Sequence, residues 1–428
     1  MLKSNCDFSK RIFLRQNIVN LIYCIADRRT FRKLYISRTH FSLFLNEARG
    51  NPHLSKMIEV RDLVKYYKKV CALNKISFEV DEGDFFVIIG PSGCGKSTLM
   101  KILSGVLEYD SGEVYINGKN MKGVPPHKRD ISLMFESYAI FPHMKVFDNI
   151  AFGLRMMGKD KDYINRKVAE TLELVGMSGF ENRSPLELSG GQRQRVALAR
   201  SLVIEPPVLL LDEPISHVDY QLQRKLMEDF KILHKKTGAT FVLTTHVQEH
   251  ALTLADAMVV MNTGVIEQIG TPEEIYRTPK TVFAARFVGD VNLIPGEVAS
   301  KQGNNYIVKT EIGEFTCTTP NSREAISPGV KLAYGIRPEF IDVDSKGRTC
   351  DNQLKGKFAR AYYFGNYVEC VFDVKGKVEV KSAVPTEQAI NLKLGEEYSL
   401  GWNSGNVVLL ESPSVIEGLN IEEVIYGK

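Results

Sequence analysis

The run Gly90-Pro91-Ser92-Gly93-Cys94-Gly95-Lys96-Ser97-Thr98 constrains this chain more than any other feature. It follows a wholly apolar stretch, Phe85 to Ile89, and leads into an apolar helical pattern at Leu99, Ile102 and Leu103. Strand, glycine-rich turn and helix in that order make a phosphate-binding loop. Glycines let consecutive backbone amides turn inward on phosphate, Lys96 neutralises β/γ charge, and the Ser97 hydroxyl suits Mg²⁺. A glycine turn that merely precedes a helix meets the same pattern, so the rest of the chain must decide.

Two further elements fall in the right order. Val208 to Leu211 reads as a buried strand delivering Asp212 and Glu213 to its C-terminal edge, where α/β folds place ligands. In that position Asp212 suits a metal and Glu213 suits polarising a water, although two acidic residues ending a strand are commonly a solvated turn. Leu188-Ser189-Gly190-Gly191-Gln192 then opens a helix with Arg193, Arg195, Val196 and Leu198. Its small-residue N-terminus is a second anion site. With phosphate already cradled at Gly90 to Thr98, that second site makes sense only against a nucleotide held by another copy.

Between Met57 and about Asp290, strand and helix patterns alternate as in an α/β domain. Strands are expected at Phe85 to Ile89, Ile131 to Phe135, Val208 to Leu211, Phe241 to Thr244 and Ala257 to Met261. Ile164, Val168, Leu172 and Val175 share one helical face, and Leu222, Leu226, Phe230 and Leu233 another, with Gly176 and Gly238 as helix stops. After Pro279 the texture changes to short alternating runs, at Asn305 to Thr310, Phe315 to Thr318, Lys331 to Ile336, Tyr367 to Val374 and Val378 to Val384. These predict a small β-barrel domain.

Composition excludes several classes. At 428 residues, 44% hydrophobic and 25% charged, the chain suits two or three globular domains, and no run is long and apolar enough for a membrane-spanning helix. Residues 1–56 hold 11 of the 55 Lys and Arg but 3 of the 51 Asp and Glu, so the rest is slightly acidic, at −4. A nucleic-acid-binding body needs the opposite balance. The break sets residues 1–56 apart as a basic extension, and translation from Met57, a targeting segment and a folded extension are the three readings of it. Seven scattered cysteines form no close pair, which fits a reducing compartment.

Together the loop at 90, the Asp212-Glu213 strand and the Leu188 to Gln192 pentapeptide resemble the ATP-binding cassette (ABC) family, over about 57–290. The resemblance implies an α/β P-loop NTPase cassette with a helical subdomain, two cassettes sandwiching two ATP molecules head to tail, and Mg²⁺. Tyr67 matches the aromatic that stacks on adenine, the pentapeptide matches the signature that touches the partner's ATP, and His246 matches the switch histidine on the γ-phosphate.

Ser137 to Met144 resembles the loop by which importer cassettes meet their membrane subunits. Ile266 to Tyr276 resembles the exit from those cassettes, and Gly335-Ile336-Arg337-Pro338-Glu339 resembles their C-terminal OB-like domain, here 291–428. The implied protein is an ATP-hydrolysing importer subunit, peripheral on the cytoplasmic face. Its implied partners are a second copy or related cassette, permease subunits and, indirectly, a solute-binding protein, with no nucleic acid. Asp219-Tyr220 and Phe287 to Asp290 look polyamine-type, with ferric iron, sulfate or sugar as alternatives.

The chain departs from the family pattern in places. Glu136 stands where a metal-touching glutamine is usual, which makes it an acceptor-only candidate metal ligand beside Ser97 and Asp212. Ser216-His217-Val218-Asp219 replaces Ser-Ala-Leu-Asp, and Val247 and His250 replace acidic residues. Tolerated drift and retuned turnover both account for these changes. A soluble cassette ATPase of DNA repair or translation is the rival class, but only about 90 residues separate the loop from the pentapeptide, without heptads, and a single cassette is present. A cassette that binds ATP without hydrolysing it is the third reading.

Overall fold

The computed structural model describes residues 55–215, 220–319, 326–344 and 350–411. Ser216-His217-Val218-Asp219, the Leu222 side chain and nearly all of the basic extension lie outside the described residues.

The centre of the N-terminal half is a six-stranded sheet in the order 265–270, 257–262, 85–89, 240–245, 208–212, 131–134. All pairings are parallel except that of Val265–Gly270 with Ala257–Asn262. Phe85–Ile89, Val208–Asp212 and Thr240–Thr245 are buried at every position, which is why Phe85 to Ile89 and Val208 to Leu211 read as unbroken apolar runs. Register pairs Ile89 with Thr245 and Asp212 with Thr244, so three strands end at one sheet edge.

A second, antiparallel sheet was not anticipated from sequence. Lys56–Tyr67 and Val70–Asp81 form a hairpin, joined at the flank of the former by Ser111–Ile116 and Lys119–Asn120. Repeated register shifts along the first strand break the strict alternation on which a sequence reading depends. Met57, Ile58, Val60 and Leu63 nonetheless turn inward, and Phe78 stacks on Phe86 of the central sheet at 5.5 Å.

Helices Val146–Met156, Lys161–Leu174 and Gly190–Leu202 cluster on the other side of the central sheet. Asp160 caps the second by accepting from the Tyr163 N–H at 2.8 Å, and Ile164, Val168 and Leu172 form its buried face. In Tyr220–Thr237, Leu226, Phe230 and Leu233 are buried as their spacing predicts. Gly176 and Gly238 follow these two helices in the left-handed conformation, φ +67° and +66°. Among the described residues no helix is long and apolar enough to cross a membrane.

The C-terminal part is all β. One five-stranded sheet has the order 314–318, 305–310, 292–302, 331–336, 407–411, and the other 342–343, 397–402, 352–363, 367–374, 378–385. Their apolar faces share one core around Tyr334, Phe372 and Trp402, and the Trp402 indole N–H donates to the Tyr334 hydroxyl at 2.8 Å. The long strands Asn292–Gln302 and Asn352–Tyr363 escaped the sequence reading because Lys, Gln, Gly and Pro interrupt their patterns.

Arg337 ties this part to the preceding one. Its guanidinium donates to the Tyr276 carbonyl at 2.8 and 2.9 Å and to the Asp290 carbonyl at 3.1 Å. The Tyr276 hydroxyl in turn donates to Glu339 at 2.5 Å. Burial and the Glu339 bond push the Tyr276 phenol up to about 12, so it stays a neutral donor.

Candidate active site

The loop Gly90 to Thr98 leaves the central strand with its back against other backbone. A Cβ on Gly90 would collide with the Met261 carbonyl, and one on Gly95, at φ +110°, would stand 2.7 Å from the Ala72 carbonyl. Only glycine lets the loop pass there. Cys94 sends its side chain into the apolar core, and burial pushes its thiol up. Gly90 and Pro91 offer carbonyls, which the Lys96 ammonium meets at 2.8 and 3.1 Å. The Lys96 side chain is 4% exposed, and its Nζ is 3.5 Å from Glu213 Oε1.

A cavity of about 740 Å³ opens in front of this loop. Tyr67, Ser92, Gly93, Gly95, Lys96, Ser97, Thr98, Glu136, Glu213 and His246 line it together, although they come from five separate stretches of chain. Gly90, Pro91 and Cys94 stand behind that wall. A smaller neighbouring cavity of about 300 Å³ is bounded by Ser97, Glu136 and Asp212, so Glu136 borders both. Sequence reasoning missed the wall formed by Val70, Cys71, Ala72, Thr263 and Gly264. The Thr263-Gly264 turn was the available signal, since a Cβ on Gly264 would meet the Ala72 carbonyl at 2.8 Å.

The polar groups are held by one another. Ser97 Oγ donates to Asp212 Oδ1 at 3.1 Å, and His246 Nδ1 is 2.8 Å from Glu213 Oε2. Burial raises the Asp212 carboxyl, the Thr244 and Ser97 hydroxyls oppose that, and the charges of Glu213 and Glu136 add to the rise. Asp212 and Glu136 border one cavity with the Ser97 hydroxyl, a hard-oxygen set that favours a cation. Among the described residues no three His, Cys, Asp or Glu side chains form a closed metal cage. That donor set fits Mg²⁺, which is typically held by one or two carboxylates together with substrate phosphates.

The pentapeptide lies apart from this cavity. Ser189 caps helix Gly190–Leu202: its Oγ accepts from the Gln192 N–H at 3.3 Å, and Gln192 Oε1 accepts from the Ser189 N–H at 3.0 Å. Gln192 is thus committed to its own helix end. Leu188 is buried, and a Cβ on Gly190 would meet nothing within 4 Å. Deeper in the helix, buried Gln194 donates through Nε2 to the Pro214 carbonyl at 2.5 Å, joining this helix to the turn after Glu213. The Ser137 to Met144 loop is organised by buried Asn149, which accepts from the Phe141 N–H and donates to the carbonyls of Phe141, Met144 and Lys145.

Residues 73–216 match the ABC transporter family model, and residues 334–410 match the TOBE domain model. The chain is 38% identical over 356 residues to the spermidine/putrescine import ATP-binding protein PotA of Rubrobacter xylanophilus, covering 82% of this chain and 93% of that one. It is 41% identical over 349 residues to the PotA of Borrelia garinii subsp. bavariensis, covering 80% and 95%. Among solved structures, cbiO1 from Clostridium perfringens aligns with a TM-score of 0.49 at 29% identity, over 55% of this chain and 93% of its own. This chain belongs to the ABC transporter family as an ATP-binding, ATP-hydrolysing subunit. Within that family it falls among the import ATP-binding proteins that carry a TOBE domain.

Proposed function

We propose that the chain, as a head-to-tail pair of copies on the cytoplasmic face of the membrane, energises import of a polyamine of the spermidine or putrescine type through separate permease subunits. The cassette is taken as 57–290 and the OB-like domain as 291–428. The observation that carries the catalytic reading is the convergence of Lys96, Glu213 and His246 on the Ser97 side of one cavity.

In this reading the loop amides and Lys96 bind the β- and γ-phosphates, and Tyr67, 45% exposed at the cavity rim, stacks on the base. Ser97, Asp212 and Glu136 would hold Mg²⁺, which would neutralise phosphate charge when bound. Glu213 accepts the proton of the attacking water, and His246, anchored through Nδ1, keeps its other face toward the γ-phosphate. Leu188 to Gln192 close on the partner copy's ATP, which is consistent with their distance from their own cavity.

The polyamine assignment rests on relatives that match over most of both chains. Uptake of labelled spermidine by cells lacking the chain, with and without its restoration, tests it. Restored uptake that unlabelled putrescine suppresses, but ferric iron, sulfate and maltose do not, is the expected result. Uptake of any of the other three in place of spermidine would move the assignment to that solute.

A further inference from the structure

A hydroxyl near the end of a fully buried central strand is unfavourable unless it is bonded. Thr244 occupies that place in Thr240–Thr245 and is fully buried. Register sets it beside Asp212 of the adjacent parallel strand. Its Oγ1 donates to Asp212 Oδ1 at 2.7 Å and accepts the Glu213 N–H at 3.1 Å. Its carbonyl accepts from the same amide at 3.2 Å. Glu213 is a non-glycine residue at φ +46°, a conformation that persists only where its surroundings impose it. One threonine therefore holds the metal-side carboxylate by its side chain and the water-side residue by its backbone.

A buried threonine that merely satisfies itself needs one acceptor, and the strand already offers backbone carbonyls for that purpose. Thr240, at the other end of the same strand, illustrates the plain structural role: its hydroxyl accepts from the Gly83 N–H at 2.9 Å, outside the cavity. We propose that Thr244 is a positioning residue of the ATPase reaction, whose hydroxyl sets Asp212 for Mg²⁺ and Glu213 for the attacking water. This rests on the roles assigned to those two carboxylates above.

The test uses the full chain with Thr244→Val, which keeps the branched shape without the hydroxyl, and Thr244→Ser, which keeps the hydroxyl. Thr244→Ala serves as a second hydroxyl-free variant should the valine protein fail to fold. A fluorescent ATP analogue is titrated in EDTA and again with increasing Mg²⁺, and steady-state ATPase gives kcat and KM separately. Hydroxyl-free variants should bind the analogue in EDTA as the parent does and need at least about tenfold more Mg²⁺ for half-saturation, the size of one hydrogen bond to a charged group. Their kcat should fall by a similar factor with less change in KM, and Thr244→Ser should stay within about twofold of the parent in both readouts.

Mg²⁺ half-saturation and kcat within twofold of the parent in a hydroxyl-free variant would overturn the proposal. So would a serine variant as impaired as the valine one. Asp212→Asn provides the separate control: if Mg²⁺ dependence survives that change intact, the metal role of Asp212 fails, and this inference falls with it.

Discussion

Arg337 and Tyr276 stack face to face across the join between the α/β and all-β parts, with the guanidinium carbon 3.7 Å from the ring centroid. Three of the arginine's donors are also spent on carbonyls, so the contact is directional as well as apolar. Gly289 completes the fit, since a Cβ there would stand 2.9 Å from Arg337 Nη1 and 3.0 Å from the Tyr276 ring.

Arg337→Met should therefore leave the Tyr276 and Asp290 carbonyls short of donors and loosen the join by about 2–4 kcal/mol. Calorimetry of the parent and variant is the check: the variant should show a lowered or split transition, with ATP binding to the cassette retained. Arg337→Lys should recover little, because an ammonium cannot reproduce the planar fork. A variant melting as one unit at the parent's temperature would count against the clamp.

Lys96 and Glu213 face each other at 3.5 Å, and the roles proposed for them belong to different steps. Lys96→Ala should weaken nucleotide affinity. Glu213→Gln should keep affinity, lower turnover by about 10²- to 10⁴-fold and accumulate an ATP-bound dimer. Equilibrium binding, single-turnover kinetics and size-exclusion chromatography with ATP distinguish the two. Undiminished hydrolysis in the glutamine variant would remove Glu213 as the base.

Glu136 borders both cavities, and its charge is felt by Asp212. A carboxylate there attracts the metal and repels the triphosphate, with each pairwise effect of order 4 kcal/mol at about 4 Å and an effective dielectric near 20. Because these oppose, the net is small and geometry decides it. Glu136→Gln should shift the Mg²⁺ dependence of ATPase or raise its maximal rate, and superimposable Mg²⁺ titrations at saturating ATP would show that the substitution has no consequence at the site.

His250 is buried in helix Gln248–Leu254, with Nδ1 3.3 Å from the Thr245 hydroxyl, and burial followed by the proximity of His246 lowers its pKa. The unfolded chain then takes up a proton before the native one does. Stability from this group is full above about pH 6.5 and is lost as pH falls through that value toward the depressed native pKa. Melting temperatures at pH 7 and pH 5 should differ less in His250→Gln than in the parent. Equal differences would mean that folding leaves the proton affinity of His250 unchanged.

The central sheet was legible because parallel strands buried on both faces leave uninterrupted apolar runs, as at Phe85 to Ile89 and Val208 to Leu211. The loop and its partners were legible because phosphate chemistry restricts residue choice at fixed spacing. The hairpin from Lys56 to Asp81 was not, because its register shifts move side chains between faces. The cavity wall at Val70 to Ala72 and Thr263-Gly264 was hidden for a different reason: those residues contribute backbone and shape, which constrain sequence weakly. Thr244 looked like one more strand residue until its register with Asp212 was known.

The Gln194 bond to the Pro214 carbonyl has a consequence for the paired arrangement proposed above. Its helix begins at the residues that would grip the neighbour's nucleotide, and its far contact is the turn carrying this chain's own base. An amide whose nitrogen is committed and whose buried oxygen meets no partner among the described residues is sensitive to small shifts of either element. In the paired arrangement, closure on the neighbour's nucleotide would therefore reach the turn that follows this chain's own Glu213.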